Sequence, residues 1–212
     1  NHHRFHRRYL SQLSSQRDSA VSNVVSWTRG QVLRDVRFYV MAPGILSSPM
    51  IVTAFFFHHL NVAEAKGWSG EWITGAYIFY ALAGIITVLF AGPLIDRFRA
   101  ERVIQVMLIP LMGACLMLAT ADRAFWVIPY MIMMGLHTGL IHTSASALWA
   151  ELYGPQHLGA IKSLYLALMV FASAVGPVLM GMLMDAGLSI YRVCSVFVGF
   201  IAIYFSYTHQ RA

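Results

Sequence analysis

The run WITGAYIFYALAGIITVLFAGPLI, residues 72–95, decides the fold. From Trp72 to Ile95 it carries no charged side chain. A helix rising 1.5 Å per residue needs about 20 apolar residues to cross roughly 30 Å of hydrocarbon. Comparable runs lie at about 38–60, 103–121, 124–150, 163–184 and 188–207. No water reaches the hydrocarbon to satisfy exposed backbone, so each run is expected to be helical. The expected fold is all-α, a polytopic bundle of six transmembrane helices. Pro43, Gly44 and Pro49 are expected to interrupt the first span, Pro110 lies in the third, and Gly176-Pro177 in the fifth.

Composition agrees. The chain has 212 residues, 58% hydrophobic and 11% charged. A soluble domain holds roughly 25% charged residues. The net charge of +6 does not point to nucleic acid, because the arginines flank apolar spans and are not interleaved with stacking aromatics. Cys115 and Cys194 both fall within apolar runs and lack metal-ligand spacing. His2, His3 and His6 belong to a solvated basic segment. No G-x-S-x-G elbow, phosphate-binding glycine loop or H-E-x-x-H occurs, so neither an enzyme nor a cofactor or metal site is expected.

Residues 1–37 are polar and read as a basic linker, with an interfacial helix from Trp27 to Phe38 leading into the first span. Residues 208–212 form a short tail. Lysine and arginine are unevenly divided between the two sides of the six spans. Arg4, Arg7, Arg8, Arg17, Arg29, Arg34, Arg37, Arg97, Arg99, Arg102, Lys162 and Arg211 fall on one side. Only Lys66, Arg123 and Arg192 fall on the other. The positive-inside rule puts the richer side, with both termini, in the cytoplasm. A plasma (inner) membrane location follows.

The second span runs into Gly92-Pro93-Leu94-Ile95-Asp96-Arg97-Phe98-Arg99-Ala100-Glu101-Arg102. This resembles G-x-L-x-D-R-x-G-R-R, the cytoplasmic loop between the second and third helices of each half of major facilitator superfamily transporters. Gly92, Leu94, Asp96, Arg97 and Arg102 match; Arg99 and Glu101 depart from it. Glu151-Leu152-Tyr153-Gly154, Gly159, Gly176-Pro177, Gly181 and Asp185 resemble a pattern of the monocarboxylate and oxalate/formate-like branch. The resemblance covers about residues 26–190. It implies the C-terminal six-helix half of a twelve-helix carrier, with an N-terminal six-helix half as its missing partner. It further implies that Gly92 lets a neighbouring helix approach, and that Asp96 faces the start of the fifth span near Ile161 and Lys162. Glu151 would lie near Arg97, Arg99 and Arg102, and together these residues would form a cytoplasmic latch. Carriers of organic anions in that branch place a Lys or Arg within helix eight or eleven, and neither 72–95 nor 163–184 holds one inside.

Polar groups at membrane depth are costly and tend to face a cavity. The candidates for a substrate pathway are Ser47, Ser48 and His58 in the first span and Tyr77 and Tyr80 in the second. His137 and His142 in the fourth and Tyr165 and Ser173 in the fifth complete the set. His137 and His142 point about 140° apart around their helix and are not expected to share a ligand. Imidazole titrates close to neutral pH, so either histidine is a candidate for a coupled proton. Gly135 and Gly139 form a G-x-x-x-G, a packing motif. The function expected is transport of a small organic solute, with a monocarboxylate as the first substrate guess. Two other readings stay open: a six-span membrane protein that does not transport, and a six-helix carrier that homodimerises.

Overall fold

The computed structural model describes residues 26–98 and 100–209. The segment 1–25, with its histidine cluster, lies outside the described residues, as do Arg99, the Glu101 side chain and the last three residues of the tail. The described chain is helical throughout: α1 Arg29–Val32, α2 Val36–Phe57, α3 His59–Ala65, α4 Gly70–Gly75, α5 Tyr77–Phe98, α6 Ala100–Thr120, α7 Val127–Tyr153, α8 Leu158–Asp185 and α9 Ile190–His209. A single 3-10 turn, Ala124–Trp126, leads into α7. Six stretches are long and apolar enough to span a bilayer: Val36–Phe57, Gly70–Phe98, Arg102–Thr120, Ala124–Tyr153, Leu158–Asp185 and Ile190–Tyr207. They fall where the apolar runs place them. The largest shift is in the fifth, which starts at Leu158 and not at Ser163.

The expected interfacial helix from Trp27 to Phe38 is not continuous. Thr28 and Gln31 form a capping box at the start of α1, and the chain turns again before α2. The second turn has a local cause. Asp35 accepts from the Arg37 amide at 3.0 Å and from Arg37 Nε at 2.8 Å, which caps the free amides of α2. Trp27 packs on the end of α7. Its amide donates to the Tyr153 carbonyl at 2.9 Å, and its ring lies 5.6 Å from that of Tyr153. The Arg37 guanidinium covers both rings, at 5.4 and 5.8 Å from their centroids. Burial pushes the Asp35 carboxyl up, but the hydrogen bonds and charge of Arg37 outweigh it and hold the group below its ordinary value of 3.8. The cap is therefore fully present above that ordinary value and is lost only as pH falls through the lower folded value. Asp35→Ala is expected to cost about 0.5–2 kcal/mol, read as a lowered melting temperature at pH 7. An unchanged melting temperature would count against the cap.

Pro43 and Pro49 do not interrupt α2, which runs unbroken from Val36 to Phe57. The break comes at His58, where the backbone leaves helical geometry before α3 begins. α7 ends at Gly154, whose φ of +76° few other residues adopt.

Two close crossings set the bundle. The second span packs on the fourth, and the first on the fifth. At the first crossing, a side chain on Gly135 would meet the Tyr80 carbonyl, Ala83 and the Gly84 amide, and one on Gly139 would meet Thr87 and the Gly84 carbonyl. At the second, a side chain on Gly176 would meet the Met50 carbonyl. Exchanging the first three spans with the last three exchanges these crossings, as an internal repeat would. The third span packs on the fourth and on the sixth. Between these pairs lies a core in which Phe55 touches Tyr130 and Phe197, so the first, fourth and sixth spans meet there.

The second and fifth spans are the least covered, each with 22% of its most apolar window buried. Their open faces carry Ile78, Leu82, Ile85 and Leu89 on one and Val170, Phe171, Val178 and Met182 on the other. In water such faces would be costly; in lipid they are not.

Candidate functional site: two grooves and a buried histidine

The candidate residues divide into three groups. The first is buried. Gly44, Ser47, Ser48, Ile51 and Phe55 share one face of α2, and all of it points into the bundle. Ser47 Oγ donates to the Gly44 carbonyl at 2.7 Å, within its own helix. Gly44 has no side chain because the Tyr204 ring occupies that space. The small polar face of the first span is thus a packing surface and not a cavity wall.

His137 belongs to the same buried region, with 0% exposure. Its Nδ1 lies 2.7 Å from the Met107 carbonyl and its Nε2 2.6 Å from Ser48 Oγ. A carbonyl only accepts, so Nδ1 carries the proton, and in the neutral ring Nε2 accepts from the Ser48 hydroxyl. Both ring nitrogens are spent in joining the first, third and fourth spans. Neither is left for a solute or a travelling proton.

The second group lines a groove of about 460 Å³ between the second and fourth spans. Tyr80, Gly84, Val88, Thr138, Gly139 and His142 form its walls. Sequence spacing brings His142 to this face, since it lies one turn beyond Thr138 and on the side of Gly139 that meets the second span. Thr138 Oγ1 donates to the Met134 carbonyl within its own helix. His142 is exposed here. Tyr77 stands just beyond the groove in a chain of rings. Its centroid lies 5.2 Å from that of Phe56, 5.5 Å from His59 and 6.4 Å from Tyr80. Tyr80 also meets Phe56 edge to face at 4.9 Å.

The third group lines a groove of about 400 Å³ between the first and fifth spans. It brings His58 and Ser173 together, with Thr53, Phe57, Pro177 and Val178. His58 Nε2 donates to the Pro177 carbonyl at 3.0 Å. Ser173 Oγ turns back to the Val170 carbonyl at 2.7 Å. His58 is therefore a tie between two spans, half-buried and at the end of its helix.

Tyr165 joins none of these. It is 5% exposed and packs against Trp149 at the end of the bundle that holds Trp27 and Tyr153. The latch residues also separate. A Cβ added to Gly92 would meet nothing within 4 Å among the described residues, so no described helix approaches it closely. Asp96 is exposed and makes no hydrogen bond or ion pair with another described residue. Arg97 and Arg102 are exposed, with Arg97 over the Phe98 ring at 5.4 Å. Glu151 reaches this stretch through the backbone: its Oε1 accepts from the Ala100 amide at 3.1 Å. A carboxylate at the start of α6 offsets the free amides and positive dipole end there. Gly92, Asp96, Arg97, Arg102 and Glu151 thus lie along one end of the bundle without forming a single ion-paired cluster.

Sequence reasoning missed a network at the opposite end. Lys66, Trp68, Trp72, Asp122, Ala124 and Tyr191 hold the links between spans together. The signal in the sequence was a lysine and two tryptophans in a link otherwise poor in positive charge. Among the described residues, no three His, Cys, Asp or Glu side chains gather as metal ligands.

Six apolar spans define a polytopic membrane protein. A comparison with curated proteins finds no match. The family comparison does, over residues 46–209, and the chain belongs to the Major Facilitator Superfamily.

Proposed function

We propose that the chain is the C-terminal six-helix half of a secondary carrier that moves a small organic solute by alternating access. The observation that carries this reading is the groove around His142. Charged side chains in the six spans sit only near the span ends, so the imidazoles supply the titratable nitrogen groups at depth. His137 is spent as a strut and His58 as a tie. That leaves His142 facing open space beside Tyr80 and Thr138. Imidazole changes charge near neutral pH, which suits it to carry a coupled proton.

The open faces of the second and fifth spans support a second six-helix half as their partner, since a carrier binds solute between two halves. By the charge bias of the links, the Asp96 end is cytoplasmic and the Lys66 end faces outward, in a plasma (inner) membrane. A small monocarboxylic acid is the first substrate class to test. With no charge at depth in this half, its counter-charge comes from the other half, or the acid crosses neutral with His142 handling the proton.

The test uses the full-length protein in proteoliposomes and a panel of radiolabelled short-chain monocarboxylates. One coupled proton under a one-unit pH gradient supports at most about tenfold accumulation, since one unit is 1.36 kcal/mol. His142→Gln is expected to bring that accumulation to unity while keeping solute exchange at equal pH. His137→Gln is expected to act through stability alone. Accumulation that follows pH normally in the His142 variant would remove it as the coupling group. No movement of any acid in the panel would set aside the substrate class.

A further inference from the structure

The Lys66 end of the bundle contains an arrangement that transport at the groove does not use. Lys66 follows α3, and Gly67, with φ +65°, turns the chain there. The Trp68 amide closes that turn on the Ala63 carbonyl at 2.8 Å. The turn directs the lysine inward, and its side chain has 0% exposure. A buried ammonium is very costly unless its protons and charge are met. Here they are. Nζ donates to the Ala121 carbonyl at 2.7 Å and lies 3.4 Å from Asp122 Oδ1. The Tyr191 ring centroid is 4.1 Å from Nζ, and the Trp68 centroid 5.4 Å. Each wall is itself held in place. Tyr191 donates its hydroxyl proton to Asp122 Oδ1 at 2.8 Å, and Trp68 Nε1 donates to the Asp122 carbonyl at 2.6 Å.

We propose that this is an ammonium-binding cage whose built-in ligand is Lys66, and that it acts as a clasp. A carbonyl, a carboxylate and two ring faces are the groups that recognise a desolvated primary ammonium. They come from three separate segments: the turn after α3, the link 121–126 and the start of α9. Filling the cage draws these segments into one block; emptying it leaves them joined by the Trp68, Trp72 and Tyr191 bonds alone, and so more open to local fluctuation. The ligand class is a short primary alkylammonium. Removing Lys66 beyond its Cβ removes the atoms of n-propylammonium, which is therefore the natural probe.

The charge on Asp122 bears on the clasp. The hydrogen bond from Tyr191, and after it the bond and charge of Lys66, hold the Asp122 carboxyl below its ordinary 3.8. A depressed carboxylate stabilises above its ordinary value and fails only as pH falls through the lower folded value. Asp122 therefore stays a carboxylate at neutral pH and does not itself open the clasp there.

Hydrogen exchange on the full-length protein in phosphatidylcholine nanodiscs tests the proposal. In Lys66→Ala, amides of 59–68 and 121–126 are expected to exchange about tenfold faster, the scale of a lost cation–ring contact with its hydrogen bond. Millimolar n-propylammonium is expected to restore protection in both segments together, and n-propanol is not. Wild-type protection in Lys66→Ala would overturn the clasp. Equal rescue by n-propanol would overturn the ammonium cage, leaving only filled volume. Should Lys66→Ala fail to assemble, Lys66→Met keeps the length and removes the charge; wild-type protection in that variant overturns the proposal equally. The readout does not involve solute movement, so its outcome is separate from that of the carrier reading.

Discussion

Valine in place of Gly176 is expected to prevent the first and fifth spans from closing on each other. A side chain at this position meets the carbonyl of Met50, and backbone cannot swing aside as a flexible side chain can. Overpacking of this kind costs about 1–3 kcal/mol, and more where backbone must move. The loss spreads further than one contact. His58 reaches the Pro177 carbonyl across the same crossing, so separating the helices removes that bond as well. Thermal unfolding of the full-length protein in detergent should show the drop, along with reduced recovery of folded material. Gly92→Ala is the control: a Cβ there meets no described atom within 4 Å, so no destabilisation is expected. A Gly176 variant as stable as the wild type would mean that the crossing at Met50 is not close.

The second large effect concerns His137. Its replacement by leucine leaves the Ser48 hydroxyl buried without its imidazole partner and returns the Met107 carbonyl to its helical bond alone. An unsatisfied buried group costs about 1–3 kcal/mol. Ser48→Ala alone removes one bond and leaves Nε2 unpaired, so it should cost less. A double-mutant cycle on the two positions is expected to give a coupling of about 0.5–3 kcal/mol, the range for directly bonded residues. Measured by unfolding in the same detergent, a coupling near zero would show that the 2.6 Å contact carries no stability. The pair of histidines then separates cleanly by phenotype. His137 variants should fail in folding, and His142 variants in proton-linked accumulation.

Much of the architecture is legible without any knowledge of packing. Apolar length alone sets the number and position of the spans, because a helix must cover the hydrocarbon thickness whatever its neighbours are. The G-x-x-x-G at Gly135 and Gly139 is legible as packing, since close approach needs the absence of a side chain. The latch is not. Its charges lie together in the chain, but local spacing does not say that Glu151 reaches the Ala100 amide, a free helix start that attracts a carboxylate.

The pathway candidates show the same limit from the other side. Residue type and depth select His137 and His142 alike, and Ser48 alongside Tyr80. Which of them is sealed depends on which neighbour covers each helix face. The third span lies against the His137 side, and the second leaves His142 beside an open groove. In lipid, hydrophobicity does not tell one face of a span from another, because every face is apolar enough to meet the bilayer.

The sequence by itself thus determined a six-span membrane bundle and its family resemblance, through length, charge placement and short motifs, all of which are local. The tertiary structure alone decided that the serine face of the first span is core, that one histidine is a strut while the other meets a groove, and that Lys66 is enclosed. Those outcomes depend on contacts such as Ser48 with His137 and Lys66 with Asp122, made between residues far apart in the chain, and no local spacing encodes them.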